Sequence, residues 1–309
     1  MESSLTDKQR TLREAIAEQV HDGDAIALGL ALESGIPFAA VHEIIRQQRR
    51  DLTLIGPISD MAFDQLIAAG TTARVIAAWV GNVAGGSGYG FRRAYEQAIP
   101  RRLVMEDHSN FTVGLALQAA AMGVPFLPTF TGIGGDIVRN HPRIRPIEDP
   151  FGGPAPLAVA ALRPDVAIIH VQRADAQGNA HLWGNLGLTV EAAYAARRTI
   201  ITCEEIVPED IIRSDPNRTM IPGFLTTAVV EVPGGALPSS VQGHWRRDFE
   251  PFLDYHRRSR TADGFEAWLR EWVLDMPDRA AYLQHMGEAA VERLRVRDEQ
   301  LAASANFAP

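Results

Sequence analysis

Short apolar runs alternate with stretches of helical spacing from about residue 25 to residue 232, and this alternation limits the fold more than any single motif does. Leu52 to Ile55, Arg74 to Val80, Arg102 to Met105, Val166 to Val171, Thr199 to Cys203 and Ala228 to Val232 read as strands. Phe38 to Gln48, Phe63 to Ala69, Phe91 to Gln97 and Thr112 to Met122 carry the helical period between the earlier ones. Consecutive parallel strands need a crossover, and a helix supplies it. The pattern therefore predicts an α/β fold, a mostly parallel open sheet covered by helices. Val166 to Val171 is the most apolar run, as a central strand buried on both faces requires.

Ahead of this alternation, Leu12, Ala15, Ile16 and Val20 give the segment Ser4 to Val20 a helical face, with Thr6 and Gln9 spaced as a capping box. The stretch Asp22 to Pro37 follows. An Asp-Gly turn delivers a strand, Ala25 to Leu28, which ends on Gly29 and passes through Gly35 to a helix start at Pro37. In open α/β sheets, ligands bind at loops leaving the carboxyl ends of strands, where helix-terminal amides meet anions.

Composition changes after Gly234-Gly235. Ser239 to Arg260 is rich in charge and aromatics, and Phe265, Trp268, Leu269, Trp272 and Val273 form an amphipathic stripe that Pro277 ends. A last helix is predicted over Asp278 to Leu301, with Tyr282, Leu283, Met286 and Leu294 on one side and a loose tail after it. The division expected is an α/β domain over 1–238 and a helical extension over 239–309, packing on the body or on a partner. A net charge of −8 opposes broad nucleic-acid binding driven by phosphate neutralisation. The single cysteine, Cys203, excludes an internal disulfide. The polar amino terminus lacks the apolar core of a signal peptide and no apolar run approaches a membrane span, so a cytoplasmic protein is expected.

Two glycine clusters stand where chemistry is expected. Gly85-Gly86-Ser87-Gly88-Tyr89-Gly90 follows a strand and precedes a helix, but Tyr89 occupies the second glycine position of a nucleophile elbow, which excludes that reading. Thr131-Gly132-Ile133-Gly134-Gly135-Asp136 is neither a Walker loop, lacking Lys-Ser/Thr, nor a dinucleotide fingerprint. Backbone amides at either cluster can approach a thioester or carboxylate closely, since no Cβ intervenes. The nine histidines show no metal spacing: His42-Glu43 lacks a second histidine, and His170 and His181 lack matching partners. His108 at a strand end is a candidate acid or base against a capping role, and Glu204-Glu205 a candidate nucleophile against a solvated pair.

Three stretches together resemble class I coenzyme A transferases. Asp22-Gly23 through Gly29, Gly35 and Pro37 is similar to the family's amino-terminal signature, with Leu30 and Ala31 where Gly and Phe are usual. Arg173-Ala174-Asp175-Ala176-Gln177-Gly178-Asn179-Ala180 is similar to its Ala-Asp-x-x-Gly-Asn segment. Gly123-Val124-Pro125-Phe126-Leu127-Pro128-Thr129, leading into Gly134-Gly135-Asp136, resembles the A (α) chain of glutaconate-type enzymes. The resemblance runs in order over roughly residues 10 to 235.

It implies transfer of coenzyme A between carboxylic acids through a glutamate, with the acyl-CoA thioester as substrate and no permanently bound cofactor or metal. The family's nucleophile lies in a Ser-Glu-Asn-Gly context on the B (β) chain, a tetrapeptide this chain lacks. The resemblance therefore implies an A-type chain with no catalytic residue of its own, needing a B subunit as partner in an α2β2 assembly. Gly85, Gly86 and Ser87, with Gly134, Gly135 and Asp136, fall on the substrate side of the inter-subunit cleft. Asn110 and Gln172 are further hydrogen-bonding candidates, Gly178-Asn179 reads as a turn, and Trp79, Tyr89, Phe91, Phe130 and Trp183 shape a pocket or fill core. Two alternatives stay open: a steroid ring-opening acyl-CoA hydrolase of the same fold, against which Asn110 stands where its glutamate is expected, and a non-catalytic ligand-sensing or sugar-phosphate-binding module.

Overall fold

The computed structural model describes residues 7–297. Seven parallel strands lie side by side in the order Ala228–Glu231, Arg198–Ile206, Val166–Ala174, Ala25–Ala27, Leu52–Ile55, Thr72–Ala77 and Val104–Asp107. Helices Leu12–Gln19, Phe38–Arg46 and Asp60–Ala68 cover one face, and Asn110–Ala121 and Thr189–Ala195 the other. The predicted α/β class, parallel sheet and double covering are all present. Val166–Ala174 is buried along nearly its whole length, consistent with its apolar sequence.

The central strand outruns its neighbour. Ala25–Ala27 ends after three residues, so only Val166 and Ala167 pair with it, and the far end of the same edge is left open. Ala180–His181 closes that edge antiparallel, and Thr219–Ile221 pairs beyond it. The reversal at Asp175 is an Asx-type turn: its Oδ1 accepts the N–H groups of Gln177 and Asn179, and Oδ2 accepts from Asn179 Nδ2 at 2.8 Å. Asn179 and Gly178 serve this turn, with Asn179 Oδ1 also accepting from Gly223 N–H.

A small antiparallel sheet, Phe126–Thr129, Leu157–Ala160 and Ile144–Pro146, packs through Ile144, Leu157 and Val159 into the core on the Asn110–Ala121 face of the main sheet. Two of its strands escape the sequence pattern because Pro128 and Pro146 interrupt them, and the Phe126–Thr129 strand is only half buried. The first helix begins at Leu12 with a capping box of Thr11 and Glu14. That corrects the expected Gln9 pairing; Thr6 lies outside the described residues.

In the carboxyl-terminal part, Phe249–Arg258 and Ala262–Leu269, followed by a π-helical turn Arg270–Leu274, carry Phe252, Tyr255, Phe265, Trp268 and Val273 into the core on the Phe38–Arg46 face of the main sheet. The expected helix over Asp278 to Leu301 is broken at Gly287, whose φ of +90° only glycine takes without strain, into Arg279–Met286 and Glu288–Leu294. Its continuation past residue 297 lies outside the described residues. Because Phe252 is fully buried in the same core as the sheet, Phe252→Ala should cost about 3–5 kcal/mol and shift a single urea unfolding transition. A separate, earlier transition for the carboxyl-terminal helices would show that they fold independently.

Candidate active site

The sheet order reverses between Ala25–Ala27 and Val166–Ala174, and in open α/β sheets the ligand crevice usually opens at the carboxyl side of such a reversal. Here the chain itself occupies it. Gly35 N–H donates to Ser240 O at 2.8 Å, Leu188 N–H to Leu30 O at 2.9 Å, and Asn185 Nδ2 to Ala31 O at 2.9 Å. What remains is a cavity of about 20 Å³, lined among others by Ser34, His170, Gln172, Trp183 and Gln242. That holds roughly one water. Gln172 is buried there, its amide nitrogen donating to Trp183 O (2.9 Å) and Gln242 O (3.3 Å). Both donors are engaged, so contact with a substrate would require opening this packing.

The candidates Gly85, Gly86 and Ser87 lie further along the edge. Beyond Thr72–Ala77 the chain forms a hairpin, Gly81–Asn82 against Gly86–Ser87, with Gly85 in its turn, Gly86 at the start of its second strand and an exposed Ser87 opposite Gly81. Asn82 Oδ1 accepts from Ala84 N–H (3.0 Å) and Gly85 N–H (3.1 Å), while its Nδ2 donates to Phe252 O. A Cβ at Gly85 would run into His256 Cγ, a clash that glycine avoids where the hairpin lies on the Phe249–Arg258 helix. Tyr89 closes the other side of His256, with ring centroids 4.8 Å apart.

Two buried aspartates hold the hairpin's turn and the start of the helix that follows it. Asp60 Oδ1 accepts from Val83 N–H at 3.0 Å, and Oδ2 pairs with the fully buried Arg247 at 2.7 Å. Burial raises the Asp60 pKa, and the Arg247 charge works against that rise. Ser59 and Asp60 both sit at positive φ, 58° and 47°, a strain of about 1–3 kcal/mol each that the surrounding bonds must hold. Ser59 Oγ helps by donating to Leu28 O at 2.9 Å. Asp64 accepts from Phe91 N–H (2.6 Å), Gly90 N–H (3.3 Å) and Tyr255 Oη (2.7 Å). It supplies, from another helix, the cap that Gly88 cannot give to Tyr89–Gln97.

Asn110 is exposed in the first turn of Asn110–Ala121, at the end of the neighbouring strand. Gly134, Gly135 and Asp136 lie exposed on a loop of the small sheet, off the main edge. At ~4.8 Å per strand the Gln172 strand and the Thr72–Ala77 strand that leads into the hairpin are about 14 Å apart, so the eight candidates are spread over a long edge and a separate loop rather than gathered in one tight cluster. Asp60, Asp64, Arg247 and His256 escape a motif search. Their signal is two acids four residues apart in the otherwise apolar helix Asp60–Ala68.

Glu204 is not available as a nucleophile. It is buried, with Oε1 accepting from His170 Nε2 (2.8 Å) and Oε2 from Gly234 N–H (2.8 Å) and Trp245 Nε1 (2.7 Å). Burial works to raise its pKa, but the hydrogen bond and charge of His170 outweigh it and the net shift is downward. His108 is interior too, between Thr112 Oγ1 (3.0 Å) and Glu106 (3.3 Å), rather than at an open strand end. Glu106, His108 and His141 bring ligand-type atoms within 4.8 Å of one another. The donor set does not fit a cation, because His141 Nδ1 accepts from Arg143 N–H, its Nε2 faces Asp107 O, and two arginines flank Glu106.

The coenzyme A transferase family model matches residues 9–232, which covers every parallel strand and the glycine hairpin. The chain belongs to the coenzyme A transferase family. This transferase chain is 38% identical to the A chain of the 3-oxoadipate CoA-transferase of Pseudomonas knackmussii, across 90% of this chain and 98% of that one. It is 37% identical to the A chain of the glutaconate CoA-transferase of Acidaminococcus fermentans, across 94% and 95%. The crystal structure of that organism's glutaconate enzyme superposes with a TM-score of 0.87 at 36% identity, covering 94% and 96%. A cysteine-to-serine variant of the AibA/AibB decarboxylase superposes at 0.73 with 32% identity, covering 86% of this chain and all of that one. The family match ends before the carboxyl-terminal helices that carry Phe252 and His256.

The depressed Glu204 pKa carries a pH signature. The stabilisation from its ionised form is present above the ordinary glutamate range and is lost as pH falls through the lower folded value. Glu204→Gln should therefore lower stability at pH 7 by about 1–3 kcal/mol and flatten the acid decline of Tm below about pH 5. An unchanged acid limb would remove Glu204 from that role.

Proposed function

We propose that this chain is the A-type half of a two-subunit CoA-transferase, passing coenzyme A from an acyl-CoA to a carboxylic acid through a glutamate on a B-type partner, in an α2β2 assembly. The supporting observation is length: the chain corresponds to 98% and 95% of two relatives named as the A chains of such enzymes. Its own strand-end glutamate is sealed in a saturated site.

In this reading the partner's carboxylate attacks the thioester carbonyl, the C–S bond breaks, and a mixed anhydride forms with release of CoA thiolate. The thiolate then attacks the glutamyl carbonyl, freeing the first acid and leaving a glutamyl thioester, and a second carboxylate reverses these steps. Each addition builds an oxyanion that needs fixed N–H donors. Gly85, Gly86 and Ser87, with Gly134, Gly135 and Asp136, are the groups we assign to the substrate side of the cleft, with Asn110 and Gln172 as further contacts. The hairpin is held by Asn82, Asp60 and the packing on His256 before any ligand arrives.

We assign the partner to the face carrying the loops of the small sheet, where Phe130, Ile133, Ile137 and Phe151 are exposed, Phe151 by 95%. From the 3-oxoadipate and glutaconate relatives we infer a short dicarboxylic acid as the acid exchanged. We place the reaction in the cytoplasm, with no permanently bound cofactor. No described helix is long and apolar enough to cross a membrane. The hydrolase alternative is the weaker reading, since Asn110 stands exposed where a glutamate is called for.

Assays of this chain by itself, a B-type partner by itself, and the two mixed should show transfer from glutaryl-CoA to acetate only in the mixture. Activity from this chain without the partner would overturn the reading, and release of CO2 or free coenzyme A without a new thioester would assign decarboxylation or hydrolysis instead. Ser87→Trp should reduce transfer by at least ~100-fold with assembly on size-exclusion chromatography unchanged. Normal turnover in that variant would take the hairpin out of the site.

A further inference from the structure

A second polar pocket opens on the face of the sheet, running from the amino-terminal parts of Ala25–Ala27 and Leu52–Ile55 to Ile76 and Glu106 in the carboxyl halves of Thr72–Ala77 and Val104–Asp107. Its volume is about 670 Å³, and Thr53, Arg74, Glu106, Arg143 and Arg163 line it with an apolar wall that includes Ile76 and Leu162. Thr53 and Arg74 are direct cross-strand partners, and Glu106 is paired with Ile76 on the next row.

The charges are arranged rather than scattered. Glu106 is buried and holds a guanidinium from each side, Arg143 Nε on Oε1 at 2.9 Å and Arg74 on Oε2 at 3.4 Å. The remaining side-chain N–H groups of both arginines have no protein acceptor among the described residues. Arg163 makes no ion pair among them either. One buried carboxylate against three guanidinium groups leaves two positive charges concentrated in one pocket of a chain whose net charge is −8. Arg74 and Arg143 are only 44% and 35% exposed, so they are partly screened from solvent and pre-oriented by Glu106. Guanidinium forks fixed in this way match carboxylate and phosphate oxygens.

We infer that the Arg74–Arg143–Arg163 pocket binds a small dianion with a short apolar body, either a dicarboxylate or a phosphate ester, at a site separate from the glycine hairpin. Arg74 and Arg143, preset on Glu106, take one anionic group, and Arg163 across the pocket takes the other. The Thr53 hydroxyl, which makes no hydrogen bond among the described residues, adds a donor. Ile76 and Leu162 cover the body between the two groups. This inference does not depend on the proposed catalytic reading.

Isothermal titration of the full chain with inorganic phosphate and, separately, with glutarate tests it. The expected result is saturable 1:1 binding of at least one probe, weakened about tenfold by Arg163→Ala and unchanged by Arg213→Ala on a distant helix. Arg163 holds no other element in place, so the variant is expected to keep the wild-type Tm. Binding of phosphate alone assigns the phosphate-ester class, and binding of glutarate alone the dicarboxylate class. Absence of saturable binding for both probes, or equal affinity in the Arg163→Ala protein, would overturn the inference.

Discussion

The buried ion pair between Arg247 and Asp60 is the contact on which the carboxyl edge of the sheet depends. Both side chains are sealed from solvent, and breaking such a pair from one side leaves a charge without a partner, at a cost of about 3–5 kcal/mol. Asp60 also holds Val83 N–H in the turn of the hairpin, and Arg247 also reaches Glu33 at 3.0 Å on the loop after the first strand. Three pieces distant in sequence are thereby fixed to one point. Asp64, closed by Tyr255 and the amides of Gly90 and Phe91, repeats the arrangement one helical turn away. The carboxyl-terminal helices are thus part of the hairpin's scaffold, although they lie beyond the residues that the family model matches.

The filled reversal of strand order follows from the same packing. The loop through Leu30 and Ala31 meets Gly187, Leu188 and Asn185, and a Cβ at Gly187 would run into the Leu30 carbonyl. With that crevice occupied, the glycine hairpin is a part of the edge that presents exposed backbone, at Gly85 and Ser87. In many open α/β sheets the loop at the reversal receives the ligand. Here it acts as a plug, and the candidate site moves along the edge.

The parallel sheet was legible because its strands are short, apolar and separated by helices of regular period; Leu52–Ile55 falls on the residues the pattern marks. The small sheet was not, since prolines and half-buried positions erase the alternation on which strand detection rests. The break at Gly287 was hidden because the apolar stripe continues across it while the backbone does not. At the site, glycine clusters and Asn110 were visible as types in a pattern. The roles of Asp60, Arg247 and His256 were not, because each depends on a contact spanning well over a hundred residues. Glu204 looked in sequence like an acid at an open strand end. Its saturation by Trp245 and Gly234 emerges only when the chain is folded.

In the proposed division of labour this chain shapes the site while the nucleophile belongs to its partner. Mass spectrometry of the mixed subunits, quenched with hydroxylamine during turnover of an acyl-CoA, tests it most directly, because hydroxylamine converts an activated glutamyl group to a stable hydroxamate. The hydroxamate is expected on a glutamate of the B-type partner, with none on this chain. A modified glutamate in this chain, at Glu204 or elsewhere, would contradict that division.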